Sequence, residues 1–522
     1  MKSLVTLVVA ILALSPAAAT FPKDDSAIVH VLSRTAFGPR PGDLERVRTQ
    51  GIQRYIDEQL RPERLSDAPM ASRLAGLTTI GLSSRQIAEQ YELPQIQARQ
   101  QKKANANNND TASSDAKQPP DPLQQRANNV MAELSEQKLL RAVYSERQLQ
   151  EVLTDFWFNH FNVDARKGAD RFMLTEYERD VIRPRVLGKF RDLLGATAKS
   201  PAMLFYLDNW MSADPNGPHA PENASRPRVV RGPFGGRVLM PPAPRPQAQG
   251  KNAPRGLNEN YGRELMELHT IGVDGGYTQK DVTEVARAFT GWTIERPRQG
   301  GGFEFNPRIH DLGQKVVLGH VIKAGGGESD GEQVLDILAK HPSTATFIAT
   351  KLARRFVSDT PPPALVERVA ARFRETDGDL REVTRAILTS PEFLSKDAYG
   401  AKVKTPFEFV ASALRATGAD VQDARPLVRE VQQLGMPLYM CQPPTGYKDT
   451  GDAWVNTGAL VSRMNLALRL ASGQVKGTWV DPSTEVRLAG DVSETTRATI
   501  ARATDPAKMM ALTLGAPEFQ RR

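Results

Sequence analysis

The stretch Asp274-Gly275-Gly276-Tyr277-Thr278-Gln279-Lys280-Asp281-Val282-Thr283-Glu284-Val285-Ala286-Arg287-Ala288-Phe289-Thr290-Gly291-Trp292 decides the fold class. Asp274-Gly275-Gly276 is a turn signal. Thr278, with Asp281 three residues later, resembles a capping box in which Asp replaces the usual Glu or Gln. Val282, Val285, Ala286, Phe289 and Trp292 then recur at three- and four-residue spacing, the period of a helix with one buried face.

The same period extends outward in both directions. Leu149, Val152, Leu153, Phe156 and His160 follow it upstream. Ile348, Leu352 and Phe356 follow it downstream, then Leu365, Val366, Val369, Ala370 and Phe373, then Leu380, Val383 and Ile387. Ser200-Pro201 and Ser390-Pro391 each place a capping residue before a proline at the first helical position. Strand signal is thin. Phe303-Glu304-Phe305 and Lys315-Val316-Val317-Leu318-Gly319 predict one short hairpin closing around Arg308 to Gly313. Ala386–Phe393 and Leu512–Phe519 echo each other loosely, too irregularly for a solenoid. The expectation is a mainly α chain: one large multi-helix domain over residues 20–522, with at most a short β-hairpin.

Two polar stretches interrupt the pattern. Residues 97–129 are rich in Gln, Asn, Lys, Asp, Ser and Pro and hold no aromatic residue, so they read as a disordered insertion. Residues 214–255 hold ten prolines and seven Lys or Arg against Asp214 and Glu222, so most of the net charge of +8 lies there. This second insertion is read as disordered and basic, either a solvated loop or an electrostatic arm for an anionic surface.

The amino terminus reads as an address. Met1-Lys2 precedes an apolar run from Leu4 to Leu14, then Ser15-Pro16-Ala17-Ala18-Ala19-Thr20, the layout of a secretory signal peptide over residues 1–19. No later stretch reaches the roughly 18 apolar residues of a spanning helix, so no transmembrane segment is expected after processing. Export, to the periplasm or the medium, argues against nucleic acid as a partner. Hydrophobic residues at 40% and charged residues at 25% exclude a wholly disordered chain. The single cysteine, Cys441, excludes an intrachain disulfide and any multi-cysteine metal site, and reads as a packed residue.

Five polar residues are the candidates for chemistry: His30, His160, Glu264, His310 and Asp311. His160 ends Phe156-Trp157-Phe158-Asn159-His160-Phe161 on the buried stripe, where an imidazole is either a satisfied core residue or part of a site. Asn258 to Gly272 reads as a capped helix with Tyr261, Leu265 and Leu268 on its apolar face. Glu264 and His269 flank that face on opposite sides, so they are not paired ligands of one edge, and Glu264 needs a polar partner. Glu259, Arg263 and Glu267, four apart, suggest a surface ion-pair ladder. His310-Asp311 lies in the hairpin loop, where it can bind a metal, act as acid and base, or brace a turn. His219 is expected to be solvated, and His341 to help start the next helix. For a metal the candidates are His160, Glu264, His310 and Asp311; the cofactor is left unknown. Common hydrolase, metalloprotease, haem and dinucleotide signatures are absent from the sequence.

Several blocks taken in order resemble a known pattern: His30 to Pro39, Phe156 to Phe161, Asn258 to Gly272, Gly276 to Trp292, His310-Asp311 with Lys315, Ser390-Pro391-Glu392-Phe393 and Pro517-Glu518-Phe519. The chain resembles the bacterial family called domain of unknown function 1800 (DUF 1800) over nearly all of its length after the leader. That family has no established activity. Its genes often lie beside those of a second family, DUF 1501, which resembles alkaline phosphatases and sulfatases, and this implies an exported partner of that kind. The expected role is a binding or assembly factor for an exported partner or envelope polymer. The alternative is a metal-dependent or acid–base enzyme, hydrolase-like, built on the five candidates. Their convergence in one concave pocket would favour the enzyme, and their scatter the binding role.

Overall fold

Helices begin where the caps were read. In the computed structural model, which describes residues 21–22, 24–106, 121–219, 228–231, 237–240, 256–488 and 492–522, Thr278 caps the Gln279–Ala288 helix. Its backbone N–H donates to Asp281 Oδ2 at 2.8 Å, and the Asp281 N–H donates back to Thr278 Oγ1 at 3.3 Å. Asn258 accepts from the Tyr261 N–H at 3.1 Å and starts the Glu259–Glu267 helix. Ser390 accepts from the Phe393 N–H, and His341 Nδ1 accepts from the Ser343 N–H as the cap of Pro342–Phe356. Each cap satisfies donors that a helix start leaves free. Ser200 caps Pro201–Tyr206 without a side-chain bond.

The apolar stripes meet in one continuous core. It runs from Ala27 in the first described helix to Phe519 near the end, through Trp157, Phe190, Trp292, Phe356 and Phe407. Burying side chains of this size stabilises by about 1.5–3 kcal/mol each. The Pro342–Phe356, Pro363–Glu375 and Leu380–Leu388 helices pack in sequence, and Glu259–Glu267 packs on Gln279–Ala288. Gly262 permits the last approach, because a Cβ there would stand 2.8 Å from the Val282 carbonyl oxygen. Among the described residues no helix is long and apolar enough to cross a membrane.

The fold is mainly α, and strand pairing differs from expectation. Phe303–Phe305 pairs with Trp292–Ile294, and Lys315–Val317 pairs with His320–Ile322, so the single hairpin is two separate ladders. Leu318 and Gly319 both have positive φ, 49° and 79°, the left-handed pair of a two-residue hairpin turn. That tight local closure wins over the longer loop expected around Arg308. Asp420–Val421 with Thr478–Trp479 adds another two-stranded ladder.

Both insertions are narrower than read. The Leu93–Ala106 and Pro122–Tyr144 helices cover the flanks of 97–129. Asp121 caps the second, and Ala127 and Val130 bury against Ile87 and Phe172 in a small satellite core. The polar composition hid these apolar contacts; residues 107–120 lie outside the described residues. Within 214–255, Arg228–Arg231 and Arg237–Met240 form an antiparallel pair. Asp214 is buried, and His219, expected to be solvated, holds Asp214 Oδ2 at 2.8 Å. The rest of that stretch and the leader at 1–19 lie outside the described residues.

Candidate functional site

The five candidates do not assemble into one site. His30, 1% exposed, faces the Phe393 carbonyl with Nε2 at 2.8 Å and stacks on Tyr399. Burial, then the nearby Arg34 charge, lowers its pKa to about 3. It is a core histidine. Glu264 has no hydrogen bond or ion pair from its carboxyl among the described residues, and it is half-buried rather than enclosed. Burial, with Glu267 beside it, raises its pKa.

Among the described residues the expected ion-pair ladder does not form. Glu259 accepts from Gln279 and Thr283, Arg263 donates to Gln279, and Glu267 accepts from Tyr277. The neighbouring Gln279–Ala288 helix offers better-placed partners than the helix's own next turn.

His310-Asp311 braces a turn. Asp311 takes the Arg287 guanidinium with both oxygens, at 2.8 and 3.0 Å, and the Gly313 N–H. Burial pushes its carboxyl up, but Arg287, the Gly313 N–H and Lys315 together hold it below the usual range. His310 Nδ1 faces the Thr290 carbonyl at 2.7 Å, and Nε2 faces Asp330 at 3.1 Å. Lys315 Nζ reaches the same Asp330 oxygen at 2.7 Å. His310, Lys315 and Asp330 are fully enclosed. Among the described residues, no group of three or more His, Cys, Asp or Glu side chains is arranged to hold a metal ion.

Of the five, His160 lines a cavity among the described residues. The cavity measures about 440 Å³ and lies between the Gln148–His160 helix, the Pro342–Phe356 helix and the loop before Thr450. That is inside the range of about 300–1,000 Å³ typical of small-ligand sites. On the first helix Asp155 and Asn159, four residues apart, share one edge, and His160 ends it. On the second, Lys351 sits at the margin of the stripe made by Ile348, Leu352 and Phe356, so its stem is packed and its head reaches the cavity.

The loop is held by asparagines. Asn159 Nδ2 donates to the Tyr447 carbonyl at 2.8 Å, and Asn159 Oδ1 accepts the Tyr447 N–H at 2.7 Å. Asn162 donates to the carbonyls of Cys441 and Pro443 at 2.8 and 2.9 Å. Gly446 makes the close approach possible: its φ is +72°, and a Cβ there would stand 2.2 Å from the Asn159 carbonyl oxygen. Cys441 is buried, and burial pushes its thiol up to about 11, as suits a packed residue rather than a nucleophile.

Beneath the loop lies a network of paired charges. Glu408 holds Arg355 at 2.7 Å and Arg522 at 3.0 Å. Burial pushes the Glu408 carboxyl up, but these guanidinium groups outweigh it and hold it at about 2. Asp449 faces Lys402 at 3.3 Å and Arg522 at 3.7 Å.

The cavity wall above is unsaturated. Lys351 makes no hydrogen bond or ion pair among the described residues; its Nζ lies 5.4 Å from the Phe347 ring centre. Burial lowers its pKa to about 8, with Asp449 acting in the opposite sense and Arg354 in the same sense. Asp155 gives Oδ1 to Lys138 at 2.8 Å and leaves Oδ2 without a partner among the described residues. His160 Nε2 faces the His269 carbonyl at 3.1 Å. A carbonyl only accepts, so Nε2 carries the proton and Nδ1 is a bare acceptor with no partner. Burial, then the charge of Lys351, keeps this ring well below the ordinary histidine pKa and therefore neutral.

Lys351, Asp155, Asn159 and Tyr447 were missed at the level of sequence. The available signal was a lysine at the edge of an apolar stripe, and Asn159 beside His160 in a block already singled out.

No curated protein and no solved structure matches the chain. The family model described as "Protein of unknown function (DUF1800)" matches residues 30–521, nearly the whole chain, and the protein belongs to that family.

Proposed function

We propose that this protein is an exported binding factor whose cavity receives an anionic group of an envelope polymer or exported partner. The observation that carries the reading is Lys351, a lysine at a cavity of about 440 Å³ with no carboxylate partner among the described residues. Four cations line that cavity, Lys351, Arg354, Arg355 and Lys448, against two carboxylates, Asp155 and Asp449. Arg355 and both carboxylates are engaged elsewhere. Lys351 and Lys448 are not, and Arg354 gives only Nε, to the Asp359 carbonyl. A cation drawn partly out of water without a partner gains by meeting an anion.

The scatter of His30, Glu264 and His310-Asp311 over separate contact sets supports binding over the hydrolase-like alternative. Export rests on the leader over residues 1–19, and N-terminal sequencing of the exported chain is expected to begin at Thr20.

The test is a titration of purified mature protein with inorganic phosphate and with acetate, followed by tryptophan fluorescence. Trp454, whose ring centre lies 5.9 Å from that of Tyr447, is the reporter. Saturable binding that disappears in Lys351→Met and persists in the exposed-lysine control Lys340→Met is expected. Equal binding by both variants would refute the cavity as the site.

A further inference from the structure

The lining of the cavity says more about the ligand than its charge. One wall is cationic through Lys351. An acceptor in the same lining is also unfilled: Asp155 Oδ2 has no partner among the described residues. An anion alone would satisfy Lys351 and be repelled by this carboxylate, which calls for a hydrogen-bond donor on the same ligand. Phe156, Met436 and Tyr447 add apolar faces to the lining. Tyr447 is fixed at both its backbone and its hydroxyl, the latter on the Pro437 carbonyl at 2.7 Å, so its ring is a rigid platform.

A ligand with one anionic group, several hydroxyls and a flat C–H face meets all three demands. We propose that the cavity recognises an acidic sugar unit, with its carboxylate on Lys351, a hydroxyl donated to Asp155, and its ring against Tyr447. This rests on the binding reading above and narrows its anionic ligand to the uronate class, carried in a polymer. A cavity of about 440 Å³ has room for about one or two sugar rings.

The experiment compares D-glucuronate, D-glucose, acetate and a uronate tetramer by calorimetric titration on the mature full chain. Glucuronate is expected to bind at least tenfold more tightly than either glucose or acetate. Lys351→Met should bring glucuronate down to the level of glucose. Asp155→Asn should weaken glucuronate at least fivefold and leave acetate unchanged. Acetate binding as tightly as glucuronate would overturn the sugar class and leave the anion reading intact. Failure of every anion to bind would overturn both. A tetramer that binds at least as tightly as the monomer supports the polymer source; one that fails where the monomer binds overturns that source. Asp155 also anchors Lys138, so if Asp155→Asn does not fold, the ratio of glucuronate to acetate in the unaltered chain decides alone.

Discussion

Two groups of buried polar residues sit in the same helical frame and differ in one respect. Around Asp330, His310 and Lys315 meet carboxylate or carbonyl partners, with no exposure of any of the three. Around Lys351, the ammonium, one oxygen of Asp155 and one nitrogen of His160 have no hydrogen-bond or ion-pair partner among the described residues. In the first group both basic side chains are paired within the chain and hold a turn against a helix, although Asp330 Oδ1 is itself buried without a hydrogen-bond partner. The second is satisfied only by something added. Identity of residue does not separate them, since each contains a histidine, a lysine and an aspartate. Pairing of the lysine does: Lys315 holds Asp330 at 2.7 Å, while Lys351 has no hydrogen bond or ion pair among the described residues.

The sharpest way to break that comparison is to remove one member from each group. Asp330→Asn leaves Lys315 enclosed and half-paired. Breaking a buried pair from one side costs about 3–5 kcal/mol. Lys351→Met removes a cation whose burial opposes folding at neutral pH, so the variant is expected to be as stable as the parent or more so. Urea denaturation of both variants reads the difference. A large loss in Lys351→Met, or none in Asp330→Asn, would reverse the assignment of structural and functional groups.

Asn159 stands between the two kinds of residue, and it sharpens the boundary. It is fully bonded, yet its bonds hold the cavity's loop rather than the core. Asn159→Ala deletes two hydrogen bonds to Tyr447, a loss of about 1–3 kcal/mol. The Tyr447 amide should lose protection against hydrogen exchange while amides of the Gln279–Ala288 helix keep theirs. Uniform loss of protection would mean that the loop is part of the core.

The sequence carried the frame of this molecule more fully than its site, for a physical reason. A cap and its partner lie three residues apart, as Thr278 and Asp281 do, and a helical stripe repeats within two turns, as Val282, Val285, Ala286 and Phe289 do, although Trp292, read on the same stripe, opens a strand instead. Such signals are local, and they held. The cavity joins residues near 155, 351 and 447, and no spacing links them until the chain is folded. His160 was legible because it fell on a stripe. Lys351 looked like any lysine at the edge of one. The loop–strand stretch around His310 was misread for a related reason: the turn at Leu318-Gly319 needs a non-glycine residue at positive φ, which composition does not announce.

Acidity offers a finer probe of the unsatisfied group. Lys351 has a pKa lowered to about 8, against an ordinary value of 10.5, with Asp449, Arg354, His160 and His269 as its titratable or charged neighbours. Between pH 8 and 10.5 the unfolded chain therefore holds a proton at this residue that the folded chain has released. Stability from this group rises with pH across that window and is lost as pH falls back through it. Lys351→Met should lack that component, which denaturation midpoints of the two proteins between pH 7.5 and about 10 will show. Anion binding should move the opposite way, weakening above pH 8 as the ammonium is lost. Parallel curves for parent and variant would place Lys351 in water rather than at the cavity.

Glu264 gives the smallest expected effect and the most direct comparison with the sequence. Read as a carboxylate on the edge of a buried face, it needs a partner, and Glu264→Gln would then lower stability by breaking a pair. Among the described residues there is no pair to break. The carboxyl is half-buried, Glu267 lies near it, and burial already favours its neutral form. Glutamine is close to that form in shape and removes a charge that sits near another of the same sign. The substitution is expected to change stability by less than about 0.5 kcal/mol, in either direction, at pH 7. As pH falls through the carboxylate range, the parent's raised group takes up its proton earlier when folded than when unfolded. This group therefore favours the folded parent at acid pH, and any advantage of Glu264→Gln at pH 7 should shrink there. Midpoints measured at pH 7 and at about pH 4 decide it. A loss above about 1 kcal/mol at pH 7 would mean that Glu264 has a partner after all, and that it belongs with the satisfied group around Asp330.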